Sequence, residues 1–343
     1  MKNIIITLLI STTFLSLGAQ EISKKQWTLF SKTTADWCSN CGSWGWNMHK
    51  QLVENFENKN TLSWALHLSG GLTNQAAKDL GANLGVSFQP VFFEGLENMN
   101  VTSSNIPQKI AEAESIVELN NISDAFAGVG IVATLSDDKT LDVSADVEFL
   151  APVENGNYFL GLYLLEDKLI AYQQSQGQNA VHRYVLRNRI LPSTFGENLV
   201  SGAVAKGQKY KVNASMSNVS GKPENLKVAA IIWNRTSNGK YRFFNANVVD
   251  VALTSSEQTP DVAFTLQAQF LGDNLQVSLN NTDVLSNVSL HLTDMSGKTV
   301  LNTDIYNESS WEKTFYLPVL SGTYMLNIDA GKQGQITKKL IKI

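Results

Sequence analysis

The chain has 343 residues, with 27 Lys and Arg against 31 Asp and Glu for a formal net charge of −4. That length accommodates two or three domains, and the acidic balance excludes the basic surface that binding to nucleic acid requires. Charged residues make up only 17% of the sequence, below the ~25% of an average soluble protein, and Gly, Asn, Ser and Thr are plentiful, as in β-rich extracellular modules. The two cysteines, Cys38 and Cys41, are too few and too close to staple distant parts of a disulfide scaffold.

At the N-terminus Lys2 precedes an apolar run from Ile4 to Leu17, and Leu17-Gly18-Ala19 offers a small-residue cleavage site before Gln20. This predicts a secretory signal peptide over residues 1–19. The run is short for a bilayer, and no basic stop-transfer flank follows it. Cys38 is the first thiol in the chain, so no cysteine stands at the cut to carry a lipid. Nothing later reaches about 18 uninterrupted apolar residues, and a transmembrane span is not expected in the mature chain.

From 20 to 122 short apolar runs alternate with helical periods. Trp27 to Phe30 reads as a strand. Met48, Leu52 and Phe56, with Val53 beside them, place one buried face on a helix after Cys41. Leu62 to Leu68 reads as a buried strand ended by Gly70-Gly71. Thr73 can cap a helix in which Ala76, Leu80 and Leu84 share a face before Gly85. Val91-Phe92-Phe93 forms a strand after Pro90, and a last helix starts near Pro107 and buries Ile110 and Val117. The alternation predicts an α/β unit.

From 123 to 253 the apolar period drops to two, as in Val129, Ile131, Ala133 and Leu141, Val143, Ala145, which predicts a β-sandwich. A polar linker at 254–261, with Ser255-Ser256 and Pro260, leads to a small second sandwich at 262–343, in which Met295-Ser296-Gly297-Lys298 supplies a hairpin turn. The expected fold class is therefore multidomain, α/β plus all-β.

Trp37-Cys38-Ser39-Asn40-Cys41 lies between the first strand and the first helix. A cysteine at a helix N-terminus meets free N–H groups and the positive end of the dipole, both of which favour thiolate. Cys38 is the expected nucleophile, and Cys41, one turn later, is placed to resolve a mixed disulfide. A purely structural disulfide is the alternative, but closing a four-residue loop stabilises a chain by roughly 1.9 kcal/mol, against about 4.7 for one of 100 residues. Zinc is a further alternative through His49 and His67, yet C-x2-C-x7-H-x17-H matches no common zinc site. No metal and no soluble cofactor is expected, since the dithiol itself carries two electrons.

The segment Ala35 to Cys41 resembles the W-C-x-x-C active site of the thioredoxin superfamily, and Val86 to Phe92 resembles that family's strand bearing a cis-proline. The resemblance implies a thioredoxin-like domain over 20–122, with Trp37, Gln89 and Pro90 contacting substrate beside Cys38 and Cys41. Lys32 stands where thioredoxin has a buried acid, and Gly42 follows the pair where relatives have Lys or Pro. Residues 20–252 resemble the Omp-twenty-eight-related outer membrane proteins of Bacteroidetes-type bacteria, through Leu165-Glu166-Asp167, Gln173-Gln174, Val181 to Arg187 and Phe195-Gly196. The last 70 or so residues resemble the type A C-terminal sorting domain of type IX secretion, through Asp294 to Lys298, Leu320 to Tyr324 and Lys338 to Ile343.

These resemblances imply a secreted or cell-surface protein, associated with the outer membrane and exported through the periplasm. Its expected partners are the type IX machinery and envelope or secreted proteins with thiols or disulfides. Two functions stand open: a thiol–disulfide oxidoreductase, and a non-catalytic surface binding protein with an inert disulfide. Solvent access to Cys38 separates them, a buried sulfur supporting the second. His182 with Arg183 and Arg187 reads either as a polar binding cluster or as a bonded structural group. Trp44 and Trp46 read either as the walls of an apolar groove or as packing.

Overall fold

The computed structural model describes residues 22–86, 88–253, 264–294, 297–330 and 335–342. The expected signal peptide at 1–19 and the linker at 254–261 lie outside the described residues, as do Ser87, Met295 and Ser296. The chain divides at Thr254/Ser255 into two compact units.

The first unit opens with β1 (Thr28–Ala35), a short α1 (Ser39–Gly42), α2 (Trp44–Phe56), β2 (Thr61–Ser69), α3 (Gln75–Leu84), β3 (Val91–Glu94), β4 (Glu97–Asn98) and α4 (Ile106–Ile122). β1 and β2 run parallel, and β3 pairs antiparallel to β1. Every residue of β1 is buried because apolar layers cover both its faces. Phe30 packs with Met48, Leu52 and Phe56 of α2 and with Val117 of α4, while Leu29 packs with Leu62, Trp64 and Leu80 on the other face. The helical spacing of Met48, Leu52 and Phe56 is thus the buried face of α2. The cap of α3 is Asn74 rather than Thr73, its Oδ1 accepting from the Ala77 N–H at 2.9 Å. Gly85, at φ 76°, closes that helix in the left-handed conformation that glycine adopts without strain.

The chain continues through β5 (Ala127–Leu135), β6 (Leu141–Phe149), β7 (Asn157–Glu166), β8 (Leu169–Gln173), β9 (Gly177–His182), β10 (Val185–Arg189), β11 (Glu197–Ser201), β12 (Lys209–Met216), β13 (Leu226–Arg235), β14 (Tyr241–Asp250) and β15 (Ala252–Leu253). β12-β6-β5-β15 form a four-stranded sheet whose alternating Val, Ile, Leu and Ala side chains pack against Leu160, Leu162, Val228, Ala230 and Ile232 of β7 and β13.

The expected fold class needs correction. Strand accounts for 54% of the described residues and helix for 16%, so the described chain is mostly β, and among these residues no thioredoxin-like α/β layer stands apart from the sandwich. β1 to β4 are one end of a nine-stranded sheet in the order β14-β13-β7-β10-β2-β1-β3-β4, with β11 also on β7. The join is the parallel pairing of β10 with β2, where the Ala65 N–H donates to the Tyr184 carbonyl at 3.0 Å. α3 seals it, since Ala76, Ala77 and Leu80 share one core with Leu66 of β2, Tyr163 and Leu165 of β7, and Ala229 and Ile231 of β13. Periodicity identifies the elements but not which strand edge pairs with which.

In that shared core Tyr163 is fully buried; its Oη donates to the Thr194 carbonyl at 2.5 Å and accepts from Trp233 Nε1 at 2.9 Å. Tyr163→Phe leaves both groups unpaired. It is expected to lower stability by about 1–3 kcal/mol, read as a lower urea midpoint at unchanged slope. An unchanged midpoint would mean that the two groups find other partners.

The second unit is β16 (Phe264–Leu271), β17 (Asn274–Asp294), β18 (Thr299–Tyr316), β19 (Gly322–Asp329) and β20 (Gln335–Lys342), one antiparallel sheet in the order β16-β17-β19-β20 with β18 on β17. Its core gathers Leu275, Val277, Leu279, Leu290, Leu292, Trp311, Leu326 and Ile328. The residues that marked the C-terminal resemblance hold its ends. Tyr324 Oη donates to the Leu320 carbonyl at 2.6 Å, and the buried Lys342 ammonium pairs with Asp273 at 2.6 Å while donating to the Val319 carbonyl at 2.6 Å.

Candidate functional site

β1 ends at Ala35 and delivers the chain into the cysteine turn. Cys38 is the N-cap of α1, its Sγ accepting from the Cys41 N–H at 3.1 Å. The two cysteines are joined as a disulfide with their Cα atoms 5.2 Å apart. Cys41 is fully enclosed, and Cys38 retains 7% exposure. That low exposure counts toward the reading of a surface binding protein with an inert disulfide. Gln89-Pro90 is a cis peptide, and the Gln89 carbonyl oxygen lies 3.8 Å from Cys38 Sγ. Thr33 of β1 holds this segment, accepting from the Val91 N–H at 3.0 Å and donating to the Phe88 carbonyl at 3.2 Å. Pro90 packs so closely on α2 that a Cβ at Gly45 would stand 2.9 Å from its ring. Cys38, Cys41, Gln89 and Pro90 are thus brought together. Trp37 is 58% exposed beside them, with its Nε1 donating to Ser69 Oγ at 3.2 Å. Phe88 is also exposed, at 64%.

Side chains far along the chain complete the turn. The β8–β9 hairpin lies against it. Gln173 Nε2 lies within 3.2 Å of the Ala35, Asp36 and Cys38 carbonyls, the Gln174 N–H donates to the Asp36 carbonyl at 2.7 Å, and Gln176 Nε2 donates to the Gly42 carbonyl at 2.7 Å. The same approach explains Gly42: a Cβ there would lie 1.7 Å from the Gln174 carbonyl oxygen, so no larger residue fits at this position. Gln173 and Gln174 belong to a stretch singled out in the sequence, but nothing in the sequence assigns them this contact.

Behind the disulfide, Lys32 of β1 is buried and its Nζ donates to the Cys41 carbonyl at 3.2 Å, 5.6 Å from the Trp46 ring centroid. Burial pulls its pKa down from 10.5 to about 7. Lys32 borders a cavity of about 500 Å³ between β1, β2, α2 and the β8–β9 hairpin, whose lining includes His49, His67 and His182. The His67 and His182 rings lie 5.4 Å apart, and Trp46 meets His182 edge-on at 5.1 Å. Burial is the main cause holding all three imidazoles neutral: it pushes His49 and His67 well below 6.5, and with the Lys32 charge it takes His182 to about 4. Among the described residues no group of three or more His, Cys, Asp or Glu side chains is placed to hold a metal ion.

Of the two readings of His182 with Arg183 and Arg187, the structural one matches the arginines, which are engaged in ion pairs. Arg183 binds Asp167 at 2.5 Å and Glu57 at 3.1 Å, and Arg187 faces Glu166 at 3.4 Å. Trp44 packs on Phe92 in the core, and Trp46 faces the cavity.

Residues 272–343 match the secretion system C-terminal sorting domain. The chain is a secreted or cell-surface protein. Its sorting tail implies an interaction with the type IX secretion machinery, and no described helix is long and apolar enough to cross a membrane. In fold the chain is similar to HBP35 of Porphyromonas gingivalis, at 15% identity, over 94% of this chain and 100% of that one, with a TM-score of 0.55. A domain of the outer membrane lipoprotein Omp28 from the same organism aligns with 38% of this chain and 92% of its own length at 18% identity and a TM-score of 0.28. Spo0M of Bacillus subtilis aligns with 64% and 91% at 10% identity and a TM-score of 0.24. No curated protein sequence matches the chain.

Proposed function

We propose that this surface protein is a thiol–disulfide oxidoreductase acting on disulfides or thiols of envelope or secreted proteins. The observation that supports it is the asymmetry of the pair. Cys38 caps a helix N-terminus at the edge of the surface, beside the Gln89 carbonyl, while Cys41 lies fully enclosed one turn behind it. In the reduced protein the Cys38 thiolate attacks one sulfur of a substrate disulfide, forming a mixed disulfide and expelling the other sulfur as thiolate. Cys41 then loses its proton and attacks the Cys38 sulfur. The intramolecular disulfide forms, and the substrate leaves with the two electrons the pair has given up. Lys32, buried against the Cys41 backbone and shifted to about 7, is a group at hand for that proton. Exposed Trp37 and Phe88, next to Cys38 and Gln89 in the chain, offer apolar contact to an extended partner segment, with Gln89 and Pro90 as its backbone neighbours.

The 7% exposure of Cys38 favours a second reading, a surface binding protein whose disulfide is inert. Trapping separates the two. Cys41→Ser is expected to accumulate mixed disulfides with envelope proteins, because the bond at Cys38 has lost its route of release, and Cys38→Ser is expected to trap almost nothing. If neither variant traps a partner in reducing or oxidising medium, and Cys38 alkylates no faster than a free thiol of pKa about 8.5, the binding reading replaces the redox one.

A further inference from the structure

Neither cysteine lines the cavity behind the disulfide, and only Lys32 links it to the thiol chemistry. Several of the cavity's polar groups have no hydrogen-bond partner among the described residues. His67 is fully buried with both ring nitrogens unpartnered, and His182 Nε2 and Thr34 Oγ1 are buried and unpartnered as well. Buried polar groups normally find a partner, and one left bare is destabilising. His49, by contrast, has its Nε2 engaged by the Ser63 carbonyl at 3.3 Å.

Charge points the same way. Lys32 spends one of its three N–H donors on Cys41 and has no carboxylate partner among the described residues. At the mouth Lys50 is matched by Glu54 at 3.8 Å, and Arg183 by Asp167 and Glu57. Those pairs cancel, which leaves Lys32 inside and Lys168 on the rim. Asp36 acts on His182 only weakly, and Arg187, which acts on His67, is itself paired with Glu166. The chamber is a donor-rich space around one buried amine that lacks a counter-ion, with Trp46 as an apolar wall.

We propose that this cavity is a binding site for a small organic oxyanion, a carboxylate or phosphate ester, seated between Lys32, His67, His182 and Thr34. Its volume of about 500 Å³ falls in the range of small-molecule sites, roughly 300–1,000 Å³, and exceeds what an inorganic anion fills. Binding takes up a proton. Lys32, at about 7 in the free protein, becomes fully charged opposite the anion, so affinity falls as pH rises above 7, by up to about tenfold per unit.

The test is calorimetric titration of the full chain with succinate, ribose 5-phosphate, inorganic phosphate and neutral succinamide, at pH 7 and 9 and in buffers of different ionisation enthalpy. Succinate or ribose 5-phosphate is expected to bind with net proton uptake, at least tenfold more tightly at pH 7 than at pH 9, and to distinguish a carboxylate from a phosphate source. Lys32→Met, which keeps the volume, is expected to lose at least tenfold in affinity. Thr34→Val removes one donor without touching the amine and is expected to lose severalfold, which keeps the test alive if Lys32→Met misfolds. Binding of succinamide as tight as succinate, absence of proton uptake, or no binding of either organic anion at millimolar concentration would overturn the proposal.

Discussion

Removing residues 262–343 is expected to abolish surface display while leaving a folded protein in the periplasm. The sorting match begins at residue 272, inside the second compact unit, and the cores of the first unit draw on no residue of the second. Export and folding therefore rest on different parts of the chain. Fractionation and protease shaving of intact cells read the first, and the thermal melt of the purified truncation reads the second. The truncation should vanish from the surface and keep a cooperative melt. Equal display of the truncated and full-length proteins would remove the sorting assignment.

The second large effect is a loss of stability in acid. In the unfolded chain His49, His67 and His182 titrate near 6.5, whereas in the folded protein burial lowers all three, His182 to about 4. Between those values the unfolded state holds more protons than the folded one, so stability falls as pH falls. Each imidazole contributes at most about 1.4 kcal/mol per pH unit. Lys32 works in a different window with the same sign: it titrates near 10.5 when unfolded and near 7 when folded, so its contribution grows as pH rises from 7 toward 10.5. Urea unfolding between pH 4.5 and 7 should show a steep slope in the natural protein and a shallower one in a His67→Phe, His182→Gln double variant. Carboxylate titration is common to both proteins and cancels. If the double variant keeps the full slope, the two imidazoles are not the source of the acid sensitivity.

Local elements were readable because their causes are local. Met48, Leu52 and Phe56 repeat at the helical period and share the buried face of α2, and the β5 and β6 alternation puts Val129, Ile131, Val143 and Ala145 into the sandwich core. What was not readable depends on pairing between distant segments. No periodicity marks β10 as the neighbour of β2, and that single register merges an expected α/β domain into one long sheet. The cavity is not legible in the sequence for a related reason. His67 and His182 lie on strands far apart in the chain, and the expected first strand stopped at Phe30, two residues short of Lys32. A lysine inside Leu29-Phe30-Ser31-Lys32-Thr33-Thr34-Ala35, a run that is otherwise apolar or small, was the available signal.

The hairpin that carries Gln173 to Gln176 also decides which piece of the chain can be cut out and studied. Its groups hold the Ala35, Asp36, Cys38 and Gly42 carbonyls from more than 130 positions downstream. A fragment ending at 122 would contain both cysteines and the cis-proline strand, yet every one of those acceptors would open to water. Closing so distant a contact requires ordering a long loop, whose entropy must be lost before the contact is rewarded. The turn around the two sulfurs therefore acquires its final shape only after residue 176 is in place, and the smallest chain expected to reproduce its chemistry reaches beyond β10.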